Sequence, residues 1–324
     1  MNSLGLVDVA VIGGGPAGLS AALWSARYRR RVLLVDAGRQ RNRRTARSHG
    51  YLGMDDAAPD DLVERALADV LAYPEVARVC PANVLDVTAD AGSPGRFRLR
   101  LDDGRHADAL RLILATGVVD ELPNIEHFDQ YYGSAVFTCP TCDGYEAQGK
   151  RVVAIGDDEH ISAFALGLLD WAASVALVVA PDATPVRTGE TDRVGSAGVE
   201  IFRGTPTALE GSGGVLRGVQ LDDGTYVACD VMFCTVRNVQ HSDLASRLGC
   251  QMTDDGCVAV DGDGRTTVEH VFAAGDMTPG PHMVQVAAAE GARAGVAAAL
   301  SLRGERGAPG SPHPAPEPSE VLSG

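Results

Sequence analysis

The chain has 324 residues, 45% of them hydrophobic, and a mean hydropathy close to zero. Length and composition therefore describe a folded globular protein of about two domains and exclude a disordered chain. Its 43 acidic against 28 basic residues give a net charge of −15, which argues against nucleic acid or an anionic membrane as the main partner. Seven cysteines, an odd number in a long chain, do not form a secreted disulfide framework. No signal-peptide pattern precedes the first strand, and no apolar stretch is long and uninterrupted enough to span a membrane, so the expected location is cytoplasmic.

Taken in order, the chain opens with a strand at Val7–Ile12, a glycine turn at Gly13–Gly18, a helix at Leu19–Tyr28 and a strand at Arg31–Asp36. The arginines from Arg27 to Arg31 and Arg39 to Arg47 read as a solvated or cofactor-flanking face. Strands at Arg96–Leu101 and Asp108–Leu114 follow around an Asp102-Asp103-Gly104 turn. A second strand–turn–helix–strand begins at Arg151–Gly156, continues through Ile161–Ala173 and ends at Val175–Val179. The antiparallel device then recurs as Leu216–Leu221, Asp222-Asp223-Gly224 and Tyr226–Val236, an internal echo that implies duplication of one unit. A last helix is expected over His282–Leu302, opened by Pro279 and Pro281, and residues 304–324 read as a disordered Pro/Ser/Gly-rich tail.

The first turn carries a complete G-x-G-x-x-G, formed by Gly13, Gly15 and Gly18 with Pro16 and Ala17 between. The glycines permit a tight turn and close backbone approach to a pyrophosphate, which the helix N-terminus favours; otherwise the segment is a relic Rossmann start. Asp36 closes the next strand, where a carboxylate binds the ribose hydroxyls of a dinucleotide. Cys139-Pro140-Thr141-Cys142 places two thiols where they can close a small redox disulfide. Half of a zinc site would need a second ligand pair, which Cys229 and Cys234 do not supply, so no metal is expected. Cys80, Cys229, Cys234, Cys250 and Cys257 read as structural thiols.

Two segments, Ala115-Thr116-Gly117 and Ala273-Ala274-Gly275-Asp276, resemble those of the two-dinucleotide flavoprotein disulfide reductases, which bind FAD. Cys139–Gly144, with its trailing Asp143-Gly144, resembles the redox centre of the low-molecular-weight thioredoxin reductases, and the likeness runs over about residues 6–303. The resemblance implies an α/β fold of two Rossmann-like domains, the second inserted into the first. It implies an FAD domain at 1–117 and 243–303, an inserted redox domain at 118–242, and a homodimer. By the same resemblance Asp276 bonds the flavin ribityl chain, Cys142 faces the flavin, Cys139 exchanges with the external substrate and Asp143 shuttles the proton. Ala37, Arg41, Asn42 and His49 would flank the cofactor, as would Met283 and Val284, and His282 would stand over the flavin edge or the substrate.

The chain departs from that family where NADPH would bind. Of the second glycine motif only Gly156 survives; the other two positions are Asp158 and Ile161. The loop Gly156-Asp157-Asp158-Glu159-His160 would set three carboxylates beside a pyrophosphate, and Val179-Ala180-Pro181 replaces the family's basic run. The flavin-dependent dithiol oxidases that close the disulfides of gliotoxin and holomycin fit better, and the segment from Arg41-Asn42 to His49–Gly53 resembles theirs. Their second cysteine is followed by His-Gly, whereas Asp143-Gly144 stands here. The expectation is an FAD-dependent enzyme that oxidises a small-molecule dithiol or a thiol protein through Cys139 and Cys142, with dioxygen or a redox carrier as acceptor. A thioredoxin-disulfide reductase fed by NADPH or ferredoxin is the alternative, and a non-catalytic FAD-binding sensor the second.

Overall fold

The computed structural model describes residues 3–90, 92, 95–156, 160–181 and 190–303; the expected tail lies outside them. The chain divides into two compact units, one of Met1–Arg41, Asp60–Val119 and Gln240–Gly324, the other of Asn42–Pro59 and Asp120–Val239. The segment Asn42–Pro59, read from the sequence as part of the first domain, groups with the second unit.

The first unit begins with β1 (Ser3–Ile12), α1 (Pro16–Arg27) and β2 (Val32–Val35), then α2 (Pro59–Leu71), β3 (Val76–Val79), β4 (Val84–Ala89), β5 (Phe97–Leu101) and β6 (His106–Leu114). From Val7 onward every residue of β1 is buried, as is all of β2, because these strands are covered on both faces. In β5 the sequence Phe-Arg-Leu-Arg-Leu alternates buried and exposed, the pattern of a strand with one solvated face.

The chain enters the second unit through β7 (Val118–Glu121), followed by α3 (Phe128–Tyr131), β8 (Val136–Phe137), α4 (Pro140–Asp143), β9 (Arg151–Ile155), α5 (Ile161–Gly167) and β10 (Ser174–Val179). Next come α6 (Glu190–Ser196), β11 (Glu200–Arg203), β12 (Pro206–Ser212), β13 (Val215–Leu221), β14 (Tyr226–Ala228), β15 (Val231–Cys234) and β16 (Arg237–Gln240), the last paired with β7. A parallel sheet of order β11-β10-β9-β15-β8 and an antiparallel β12-β13-β14 sheet result. Two expectations are corrected here. The strand expected over Tyr226–Val236 is two strands in different sheets, broken where Asp230 pairs with Arg151 at 2.7 Å. The helix expected over Ile161–Ala173 ends at Gly167 and tightens into a 3-10 turn, Leu168–Asp170.

Returning to the first unit, the chain forms α7 (Leu244–Arg247), β17 (Val271–Ala273) and α8 (Val284–Ser301). Its sheet has the order β3-β2-β1-β6-β5-β4, and β17 pairs in parallel with Leu112–Leu114, the end of β6 that β5 does not reach. The last helix starts two residues later than expected, with Met283 as its N-cap in an extended conformation. Small residues let it lie against α1: a Cβ on Gly291 would fall 2.0 Å from the Ala17 carbonyl oxygen, and one on Gly295 would fall 2.5 Å from that of Ala21. Each unit thus holds a Rossmann-like set of parallel strands, extended in the first unit by the antiparallel β5 and β4. Among the described residues, no helix is long and apolar enough to cross a membrane, and no group of three His, Cys, Asp or Glu side chains is placed to hold a metal ion.

Candidate functional site

In the first unit the cofactor residues expected from the sequence meet at the C-terminal ends of β1, β2, β6 and β17, where open parallel sheets bind ligands. Gly13 has φ +114°, and a Cβ there would lie 2.1 Å from the Ala115 carbonyl oxygen. A Cβ on Gly18 would strike the Gly13 carbonyl oxygen at 1.8 Å, so only glycine lets α1 approach the turn. Pro16 opens α1 without an N–H, and Gly15 caps it without a side chain. Nothing lies within 4 Å of a Cβ built on Gly15, so the turn leaves room beside the N-terminus of α1.

Asp36 is buried, 4% exposed, and its carboxylate accepts the Gly38 N–H at 2.8 Å and an Arg78 guanidinium N–H at 2.8 Å. Each carboxylate oxygen keeps accepting capacity for a ribose hydroxyl. Arg78 was not legible in the sequence; it reaches Asp36 because β2 and β3 pair Leu34 with Arg78. The Gly275 N–H donates to Glu290 Oε2 at 2.9 Å, and Thr278 Oγ1 donates to the same oxygen at 3.1 Å. Asp276, released to the adjoining position, accepts from Arg41 Nη1 at 2.8 Å. The same Nη1 lies 3.2 Å from His282 Nδ1. A guanidinium only donates, so Nδ1 is the accepting atom of this pair. An open helix N-terminus, a buried acid at the end of β2 and Asp276 beside a glycine turn fit a dinucleotide such as FAD.

The second unit carries the disulfide. Cys139 and Cys142 form a disulfide with Cα atoms 5.3 Å apart. Cys139 is the N-cap of α4; the Cys142 N–H donates to its Sγ at 3.2 Å, an interaction that favours thiolate there after reduction. Gly144 is indispensable to this corner, because a Cβ would meet the Pro140 carbonyl oxygen at 2.5 Å and the Trp171 ring at 2.7 Å.

Burial raises the Asp143 carboxyl from 3.8 to about 6, with His49 drawing it down and Glu146 pushing it up. The structure sets His49 against Glu146, Nδ1 to Oε1 at 3.6 Å, a partnership the sequence did not suggest. Asn42 donates to Ser48 Oγ at 3.2 Å in the same segment. Burial pushes the Cys229 and Cys234 thiols up to about 12, which keeps them protonated and inert, while Cys80 is exposed.

In the second strand–turn–helix, residues 157–159 lie outside the described set, but the position matching Gly18 is described. It is Ile161, wholly buried, with its Cδ1 2.8 Å from where a Cβ on Gly156 would stand.

The profile of the family described as pyridine nucleotide-disulphide oxidoreductase matches residues 7–291. The chain is 30% identical over 283 residues to "Thioredoxin reductase tcpT" of Claviceps purpurea, covering 85% of this chain and 88% of that protein. Among solved structures it is similar to HlmI, with TM-score 0.85 and 34% identity over 92% of this chain and 93% of that one. An oxidoreductase of Agrobacterium tumefaciens is similar too, with TM-score 0.84 and 34% identity over 93% and 99%.

Proposed function

Because the chain belongs to the pyridine nucleotide-disulphide oxidoreductase family, a family of enzymes, we propose that it is an FAD-dependent dithiol oxidase that closes a disulfide in a small molecule or a protein, with dioxygen as electron acceptor. The observation that carries this reading is Ile161 at the third position of the second glycine motif. Where Gly18 lets α1 touch its turn, a buried isoleucine fills the space, and Asp157, Asp158 and Glu159 precede it in sequence. Carboxylates repel a pyrophosphate, and of the three glycines that would bring backbone amides to it only Gly156 remains. The redox disulfide, by contrast, is complete. Its reducing equivalents then arrive from a thiol substrate more readily than from NADPH.

FAD, held by Gly13–Gly18, Asp36 and Asp276, would supply the two-electron acceptor for the reduced enzyme dithiol and the site at which dioxygen is converted to hydrogen peroxide. The protein's part is thiol–disulfide exchange. One substrate thiolate attacks Cys139 Sγ, the S–S bond breaks, and Cys142 leaves as thiolate, taking a proton from Asp143. The second substrate thiolate then attacks the mixed disulfide, releasing Cys139 and a substrate disulfide. The substrate has lost two electrons and, in forming its thiolates, two protons to solvent; the enzyme holds the electrons as the Cys139 thiolate and the Cys142 thiol, whose proton came from Asp143.

A thioredoxin-type reductase, fed by NADPH or by a carrier such as ferredoxin, is the second reading; Asp143-Gly144 after Cys142 favours it. The test is anaerobic addition of NADPH or dithiothreitol to the flavin-loaded protein, following visible absorbance. On the oxidase reading only dithiothreitol bleaches the flavin, and air restores the colour with peroxide formed. Rapid bleaching by NADPH overturns it in favour of a reductase.

A further inference from the structure

Oxidising a dithiol releases two protons beside a half-buried centre, and the exchange needs an acid that changes state at the right step. In the second unit, three titratable side chains from two distant stretches of chain gather at this centre. Asp143 follows Cys142 directly. Glu146 sits in the next turn, a 3-10 turn over Tyr145–Ala147. His49 arrives on the segment 42–59, which is tied down independently of it. Ser48 and Ala57 form a bridge, the Ala46 N–H donates to the Gly133 carbonyl, and Gly133 has no room for a Cβ, which would lie 2.1 Å from the Arg44 carbonyl oxygen.

His49 Nδ1 stands 3.6 Å from Glu146 Oε1, and the His49 side chain is only 20% exposed. The second oxygen, Glu146 Oε2, is buried and has no hydrogen-bond partner among the described residues. A buried carboxylate oxygen without a donor is costly, and such groups mark a place for a proton or a bound donor rather than a structural brace. Of the other charges of the segment, Arg44 pairs with Asp129, Arg47 with Asp56, and Asp55 accepts the Gly50 N–H. The charged groups that act on Asp143 are His49 from the loop and Glu146 from its own stretch.

We propose that His49 and Glu146 are positioning residues for Asp143, and that the three form a proton relay from the Cys139–Cys142 centre to solvent. This rests on the thiol–disulfide reading above. Glu146 raises the proton affinity of Asp143 and His49 lowers it, so the pair sets the pH at which Asp143 can both give and take a proton. Glu146, the more exposed of the pair at 35% against 20% for His49, exchanges the proton with water.

The test reduces the full-length protein with dithiothreitol over a range of pH. Two readouts are taken: the rate of disulfide opening, and the rate at which iodoacetamide alkylates Cys139 in the reduced protein, followed on the Cys139 peptide by mass spectrometry. The second is read with and without FAD. In the wild type both rates titrate with a midpoint near the Asp143 value of about 6. Glu146→Gln moves the midpoint down and His49→Gln moves it up, each by about 0.5–1 pH unit. In an Asp143→Asn background neither variant moves it further. A merely structural role lowers rates at every pH and leaves the midpoints in place, and that result, or movement of both in the same direction, overturns the relay while thiol exchange stands. Failure of dithiothreitol to open the disulfide at any pH overturns both readings. Because both replacements are close in size to the originals, unchanged circular dichroism is expected.

Discussion

Asp143 is held half-buried next to the disulfide, and burial is the first cause of its rise to about 6. An acid whose folded pKa exceeds its unfolded one binds protons more tightly when folded. The native state therefore gains stability as pH falls through about 6 toward 3.8, and at higher pH it carries the cost of a desolvated charge. That span corresponds to about 3 kcal/mol, of which partial exposure leaves about 2. Asp143→Asn removes the charge, so its melting temperature is expected to exceed the wild-type value above pH 7, with the gap closing as the solution is acidified. Its thiol–disulfide exchange with dithiothreitol is expected to slow by about 10²-fold, the usual worth of a positioned acid. Calorimetry across pH checks the first half and stopped-flow reduction the second. A melting difference that ignores pH would mean that Asp143 is not desolvated as described.

Glycine does opposite work in two helices. On α8, Gly291 faces the Ala17 backbone, and any side chain must push α8 away from α1. Gly291→Ala is expected to cost about 1–3 kcal/mol by overpacking, and to weaken FAD binding because α1 carries the turn at Gly13–Gly18. On α5, Gly167 has helical φ −62° and nothing within 4 Å of its would-be Cβ. Gly167→Ala is expected to stabilise by about 0.5–1 kcal/mol. Denaturant melts of the two variants separate them by sign; equal effects would refute the packing argument. The contrast also shows what a sequence reveals. Gly13–Gly18 and Cys139–Cys142 were legible because each is a local pattern whose chemistry follows from spacing, and Ala115–Gly117 and Gly275–Asp276 only through the family resemblance they carry. Arg78 on Asp36, Glu290 on Gly275 and Glu146 against His49 were not, because sheet register and loop closure bring them together. The start of α8 was misjudged for a related reason. Met283 adopts an extended conformation, and neither it nor His282 carries the capping side chain that would have announced the boundary.

At the scale of the molecule, the two units have separate apolar cores. Val7, Leu112 and Val271 belong to one that lies wholly in the first unit, and Val153, Leu209 and Met232 to one that lies wholly in the second. The residues that fit FAD, Gly13–Gly18, Asp36 and Gly275–Asp276, all fall in the first unit, while the disulfide and its acid fall in the second. Units with separate cores need not melt as one, so a single transition is not assured by the chain's size. Scanning calorimetry of the flavin-free protein is therefore expected to resolve two transitions. A ligand that binds only the folded state stabilises it by about 4 kcal/mol at a thousandfold excess over its dissociation constant. FAD is accordingly expected to raise one transition and leave the other nearly still, whereas reducing the Cys139–Cys142 disulfide moves only the second. Identification is direct: Gly291→Ala lowers the FAD-sensitive transition and Gly167→Ala raises the other. If FAD lifted both transitions equally, the cofactor would be bound as much by the redox unit as by the glycine turn, and the assignment of the cradle to the first unit would have to be abandoned.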